Sequence, residues 1–267
     1  MSGAALALGG GAAALVAGLA AALWRSRREA TRLRSQLVRV AEDLENLQHA
    51  FSRFAPDAIV ERVITRGVGG TGEKKEVTAL FADLVGFTAL SERLEPPVLV
   101  EVLNGYFECM SRAITEHRGH VSTFLGDGIL ALFGALGPNP WQSDDAVRAA
   151  LAMRRAMVDY NRELAAKGLP ALSVGIGLHR GPGVAGLVGS RELKEFTVVG
   201  RTVNVAARVQ DLTRQHPADV IVTETVRATL DPRFVLRPLP PARAKGLAEP
   251  VSIYAVDDGP AAPGEPA

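Results

Sequence analysis

Val77-Thr78-Ala79-Leu80-Phe81-Ala82-Asp83-Leu84-Val85-Gly86-Phe87-Thr88 and Phe124-Leu125-Gly126-Asp127-Gly128-Ile129-Leu130-Ala131 bracket the segment that decides the fold of this chain. Residues 77–82 are apolar and β-branched at their start, the pattern of a buried strand, and Asp83 stands where that strand ends. In the second stretch two apolar segments flank Gly126-Asp127-Gly128, which predicts a tight hairpin with an acid at its tip. A helix between the two would return the chain to the same edge of the sheet. Each aspartate alone reads as a helix cap or a turn residue. Delivered together to one edge, two carboxylates suit a pair of hard divalent cations, with nucleotide phosphates the usual third party.

Further along, Phe196-Thr197-Val198-Val199-Gly200-Arg201-Thr202-Val203-Asn204-Val205-Ala206-Ala207-Arg208 puts Asn204 and Arg208 four positions apart in a segment that reads as helix, hence on one face. By spacing alone the pair is equally a solvated polar couple or an amide and a guanidinium that grip a ribose and a phosphate.

The three segments, in this order and at this spacing, resemble the signature segments of class III adenylate and guanylate cyclases, and the resemblance covers roughly residues 73–257. It implies an α+β fold, a ferredoxin-like βαββαβ core with added strands. It also implies two divalent cations, Mg²⁺ or Mn²⁺, held by Asp83, Asp127 and the backbone carbonyl of Leu84. Asn204 and Arg208 match the family's transition-state pair, which in similar cyclases comes from the second subunit of a head-to-tail homodimer. Thr123 and Thr197 fall at base-contacting positions, and Lys245 in Ala244-Lys245-Gly246 at the triphosphate-binding one. The implied reaction converts ATP to 3′,5′-cyclic AMP and pyrophosphate, for intracellular signal transduction.

The chain departs from the family pattern in places that bear on substrate choice. Thr123 stands where adenylate cyclases typically have a lysine, whereas Thr197 agrees with one bacterial subtype. Guanine presents N1–H and an amino group as donors and would favour a carboxylate, and neither position is acidic, so ATP is the expected substrate. A guanylate cyclase, and a cyclase-like module that senses nucleotide or dimerises without useful turnover, remain the alternatives. A diguanylate cyclase would need a Gly-Gly-Asp/Glu-Glu-Phe signature, which Gly126-Asp127-Gly128 does not supply. Pro182 replaces a phosphate-contacting arginine of some relatives, and Arg201 an acid of many bacterial ones.

Composition sets the outer bounds. The chain has 267 residues, 47% of them hydrophobic, and a net charge of +1, which argues against a general nucleic-acid binder. The single cysteine, Cys109, excludes an internal disulfide and makes a thiolate cluster implausible. Residues 3–24 carry no charge and are long enough to cross a bilayer, and arginines 25, 27, 28, 32 and 34 follow at once. That charge placement predicts a single-pass anchor in the plasma or inner membrane with all that follows Trp24 in the cytoplasm. A cleaved signal peptide is the competing reading of Leu19-Ala20-Ala21-Ala22. Leu33, Leu37, Val40, Leu44 and Leu47 form a narrow apolar stripe that a partner helix could cover, so residues 25–72 read as a helical dimerisation segment ending in a glycine-rich linker.

In the catalytic region a helix is expected from Pro96-Pro97 to Gly119, and a second from a capping Ser143-Asp144-Asp145 to Gly168, those acids being structural. Strands are expected at 172–178, 184–188, 196–199, 219–223 and 251–256. The Pro- and Gly-rich tail at 258–267 is expected to be disordered.

Overall fold

The computed structural model describes residues 24, 27–28, 32–34, 36–40, 72–190, 194–242 and 250–258. The chain divides into two units, Met1–Glu61 and Arg62–Ala267. In the first, the described residues are helical, and the Arg28 guanidinium lies 3.6 Å from the Trp24 ring centroid. Leu33, Leu37 and Val40 of the apolar stripe are exposed there. The rest of the span at 3–24, the stripe's Leu44 and Leu47, the linker up to Thr71, Lys245 and the tail from 259 lie outside the described residues. Among the described residues no helix is long and apolar enough to cross a membrane.

The second unit is built on one eight-stranded sheet. In chain order its elements are β1 (Glu73–Leu84), α1 (Phe87–Ser91), α2 (Pro96–Glu116), β2 (His120–Leu125), β3 (Gly128–Phe133), α3 (Gln142–Ala166), β4 (Val174–Gly189) and β5 (Lys194–Val199). They continue with α4 (Arg201–Asp211), a 3-10 turn (Leu212–Arg214), β6 (Val220–Thr223), α5 (Glu224–Arg227), β7 (Val235–Ala242) and β8 (Val251–Asp258). The strand order is β2-β3-β1-β4-β6-β8-β7, with β5 paired to β4. The first four places, with α2 and α3 as the crossings, make the expected βαββαβ core. All pairings are antiparallel except β4 with β6.

Alternation along the central strands sorts the side chains to two faces. Leu80, Ala82 and Leu84 of β1, Ile129, Ala131 and Phe133 of β3, and Ile176 and Leu178 of β4 form one buried cluster with Tyr106, Met110 and Ile114 of α2 and Met153 and Leu164 of α3. Each fully buried Leu, Ile or Phe there contributes roughly 1.5–3 kcal/mol. On the other face α4 presents Val205 and Val209 to Ile221 and Ile253. This helix sits very close to β4, because a Cβ on Gly177 would lie 2.1 Å from the Gln210 backbone nitrogen. Only glycine permits that approach.

Three expectations change. The strands expected at 172–178 and 184–188 are one continuous strand, β4, which bridges Gly181-Pro182-Gly183 by pairing with β1 as far as Glu73. Strand β7, Val-Leu-Arg-Pro-Leu-Pro-Pro-Ala, was hidden by its prolines, which are tolerated because it is the edge strand. Helix α3 starts at Gln142 after an N-cap Trp141 with no side-chain cap, and Ser143 instead bonds Thr229 Oγ1 at 2.8 Å. Asp144 and Asp145 are structural, as expected. Asp144 accepts the Asp231 backbone N–H at 2.9 Å, while Asp145 accepts from Arg118 Nε at 2.9 Å and Asn139 Nδ2 at 2.7 Å.

His179 on β4 adds a pH dependence. Burial, and then the Arg201 charge, pull its pKa from 6.5 to about 4, so the native chain holds a neutral ring bonded to Thr223 Oγ1 at 2.9 Å. Between those two values the unfolded chain binds a proton that the native chain refuses, so stability is present above pH 6.5 and is lost as pH falls towards 4. Melting temperature is expected to fall between pH 7 and pH 5, and less steeply in a His179→Asn variant.

Candidate active site

Asp83 is held at the penultimate position of β1, opposite Gly175 of β4, and Asp127 at the tip of the β2–β3 hairpin. The turn works because Gly126 takes φ +64°, a left-handed conformation natural to glycine. The two carboxyls meet, close enough for a hydrogen bond between them. Burial, and then the charge of Asp127, raise the Asp83 pKa above the usual carboxylate range, and Arg214 pulls the other way. Arg214 Nη2 lies 2.5 Å from Asp83 Oδ2. Leu84 follows at the buried end of the strand, and the chain then turns through Gly86 at φ +74° into α1.

Two further observations suit a cation between these acids. A Cβ on Gly128 would stand 3.3 Å from Asp83 Oδ1 and 3.1 Å from the Leu125 carbonyl, so glycine keeps the space beside the carboxylate open. Beneath them the Tyr106 hydroxyl is buried without a hydrogen-bond partner among the described residues, its pKa raised by burial and then by Asp83 and Asp127. Among the described residues no group of three or more His, Cys, Asp or Glu side chains could hold a metal. A hard cation here would therefore take two carboxylates and complete its shell with backbone carbonyl, water or phosphate oxygens, which is the donor set such ions prefer.

Asn204 and Arg208 share the surface of α4, Asn204 exposed and Arg208 half-buried. Arg208 Nη1 is buried and has no hydrogen-bond partner among the described residues. A guanidinium nitrogen in that state is costly unless an anion completes it. Within the described residues neither side chain bonds Asp83 or Asp127.

Of the two positions expected to contact the base, Thr123 and Thr197, the structure brings Thr197 of β5 against Ser122 of β2 and not against Thr123. Ser122 Oγ lies 2.9 Å from Thr197 Oγ1 and 3.1 Å from the Phe196 carbonyl, and its single proton serves one of the two. Among the described residues the Thr123 hydroxyl bonds the Phe124 carbonyl, at 3.4 Å. Pro182 and Arg201 line a separate cleft of about 450 Å³ with Glu76, His179 and Arg180.

Three residues of this region escaped the sequence reading. Arg214 lies beyond the end of α4 on a 3-10 turn, and no local pattern ties it to Asp83, 131 positions earlier. Tyr106 had a signal, the spacing of four from Val102 and to Met110 that marks the buried face of α2. Ser122 is brought into play by a register shift in β2, which no residue pattern announces.

Comparison with known proteins agrees with this geometry. Residues 71–257 match the family model of the adenylate and guanylate cyclase catalytic domain. An adenylate cyclase of Anabaena cylindrica is 36% identical over 224 residues, covering 80% of this chain and 44% of the relative. Adenylate cyclase 1 of Rhizobium meliloti is 33% identical over 208 residues, covering 77% and 31%. The chain thus spans less than half the length of these curated relatives. Among solved structures, the guanylyl cyclase Cya2 aligns with TM-score 0.66 at 34% identity, over 72% of this chain and 96% of that one. The adenylyl cyclase CyaB from P. aeruginosa aligns with TM-score 0.67 at 28% identity, over 70% and 96%. With a family model matched over most of its length and relatives above 30% identity, the chain belongs to the class III adenylate and guanylate cyclases, and residues 71–257 are its catalytic domain.

Proposed function

We propose that this chain is an adenylate cyclase that converts ATP to 3′,5′-cyclic AMP and pyrophosphate in a homodimer with composite active sites. The observation that carries the reading is the meeting of Asp83 and Asp127 at one sheet edge, with space kept open by Gly128. The curated relatives that are adenylate cyclases support ATP as the substrate.

In the reaction the ribose 3′-hydroxyl gives its proton to solvent, its oxygen forms a bond to the α-phosphorus, the bond from that phosphorus to the bridging oxygen breaks, and pyrophosphate leaves with the electron pair. Two divalent cations, held by Asp83, Asp127 and the Leu84 carbonyl, would supply acidification of the 3′-hydroxyl and neutralisation of the triphosphate. Asn204 orients the ribose, and Arg208 stabilises charge that builds on the α-phosphate in the transition state. The unpaired Nη1 of Arg208 supports this assignment, since it is a donor waiting for an anion. These two come from one subunit and the aspartates from the other. Thr123 and Thr197 face the base, and Lys245 binds the outer phosphates. Residues 3–24 anchor the chain in the membrane, and residues 25–72 join two copies by the stripe of Leu33, Leu37 and Val40, which one copy leaves exposed.

A second reading, guanylate cyclase, is favoured by the likeness to Cya2 at 34% identity. The test is cyclic nucleotide formation by the purified 267-residue chain with Mn²⁺ and either ATP or GTP. Cyclic AMP as the main product is expected. Cyclic GMP in excess would select the second reading, and no cyclisation by a folded dimer would leave only a nucleotide-sensing module.

A further inference from the structure

Arg214 is carried to Asp83 by a turn that the core holds in place. The 3-10 turn Leu212–Arg214 follows α4, and Leu212 is buried with Val205, Val209 and Ile221. Thr213 Oγ1 donates to the Gln210 carbonyl at 2.7 Å. Gly175 stands opposite Asp83 in the β1–β4 ladder, and a Cβ there would lie 2.1 Å from Thr213 Oγ1. The turn therefore rests directly on the strand beside the acid, and nothing in its anchoring depends on the Arg214 side chain.

That side chain is held more lightly. It is half exposed, and its Nη2 meets Asp83 Oδ2 at 2.5 Å. An ion pair at such exposure opens readily, because water solvates the released guanidinium. Gly128 leaves room beside the other oxygen of the same carboxylate, Oδ1. A divalent cation between Asp83 and Asp127 draws on these oxygens, since hard ions take carboxylate ligands. If it takes Oδ2 it displaces the guanidinium outright. If it takes Oδ1, two positive groups share one carboxylate, at a range where like charges repel.

We propose that Arg214 is a built-in counter-ion that competes with the divalent cation for Asp83, swings to water as the cation binds, and so sets how much cation the enzyme needs. The inference rests on Asp83 holding a cation, as proposed above. Apparent cation affinity is then the intrinsic affinity reduced by the fraction of chains in which Arg214 has let go.

The test is Mn²⁺ binding by the purified 267-residue chain without nucleotide, read from the electron paramagnetic resonance signal of free Mn²⁺. Arg214→Gln and Arg214→Ala are expected to tighten binding about fivefold, the scale of a part-exposed ion pair. Arg214→Lys keeps a charge within reach of Asp83 and should bind as the wild type does. Arg201→Gln removes an equal charge from the separate cleft and should leave binding unchanged. Each variant should melt near the wild-type temperature, because Leu212 and the approach at Gly175 hold the turn. Affinity unchanged or weaker in either Arg214→Gln or Arg214→Ala overturns the inference. So does an equal gain in Arg214→Lys or Arg201→Gln, which would place the cause outside the charge at this contact. Asp83→Ala separates the two readings. If it loses Mn²⁺ binding while the Arg214 variants show no gain, the role of Arg214 falls and the cation site stands. If it binds Mn²⁺ as the wild type does, or if none of the chains binds Mn²⁺, both fall.

Discussion

Alanine at Asp83 is expected to abolish cyclic AMP formation by the 267-residue chain, with kcat lower by at least roughly 10³-fold, about 4 kcal/mol of lost transition-state stabilisation. The size follows from what the carboxylate faces. Asp83 and Asp127 are the two anions at this edge of the sheet, close enough to hydrogen-bond, and a cation shared between them loses half of its protein charge when either is cut back. Asp127→Ala should therefore fall as far. The fold should not follow. Removing Asp83 relieves its repulsion with Asp127, and Arg214, whose side chain is 50% exposed, can turn to water. An inactive Asp83→Ala chain that melts near the wild-type temperature is the expected result, read by cyclic AMP assay and calorimetry. A variant that keeps a tenth or more of the activity would remove Asp83 from the metal site.

Arg208→Ala is the second large effect, with kcat expected to drop about 10²–10³-fold while KM for ATP changes little. The split follows from the proposed role, since charge builds on the α-phosphate only as the reaction proceeds. Asn204→Ala should lose less, because a ribose oriented by an amide is also held through its phosphates. A rise in KM with kcat preserved would instead make Arg208 a ground-state anchor.

The places of the candidate residues were legible in the sequence because those residues sit where secondary structure changes. Asp83 ends an apolar strand, Asp127 caps a glycine-flanked hairpin, and Asn204 and Arg208 share a helix face, so local pattern was enough to locate them. What escaped was long-range. Arg214 meets Asp83 only because α4 lies against β4 at Gly175 and Gly177, an approach that no periodicity records. The bulge at Ser122 depends on how β2 pairs with β3, and a strand's own alternation would have sent Thr123 to the other face. Strand β7 was missed for a simpler reason: its prolines read as a loop, and only the edge position makes them admissible. The βαββαβ order, by contrast, needed only the alternation of strand and helix signals, since short connections leave few topologies open.

In the proposed homodimer two chains build one site, aspartates from one copy and the Asn204–Arg208 pair from the other. Asp83→Ala and Arg208→Ala chains, each inactive alone, should be co-expressed so that mixed dimers form. Half of the dimers would then be mixed, each with one intact and one doubly broken site, and about a quarter of the wild-type rate should return. A mixture as inactive as its two parents, with mixed dimers isolated by two different affinity tags, would contradict the composite site.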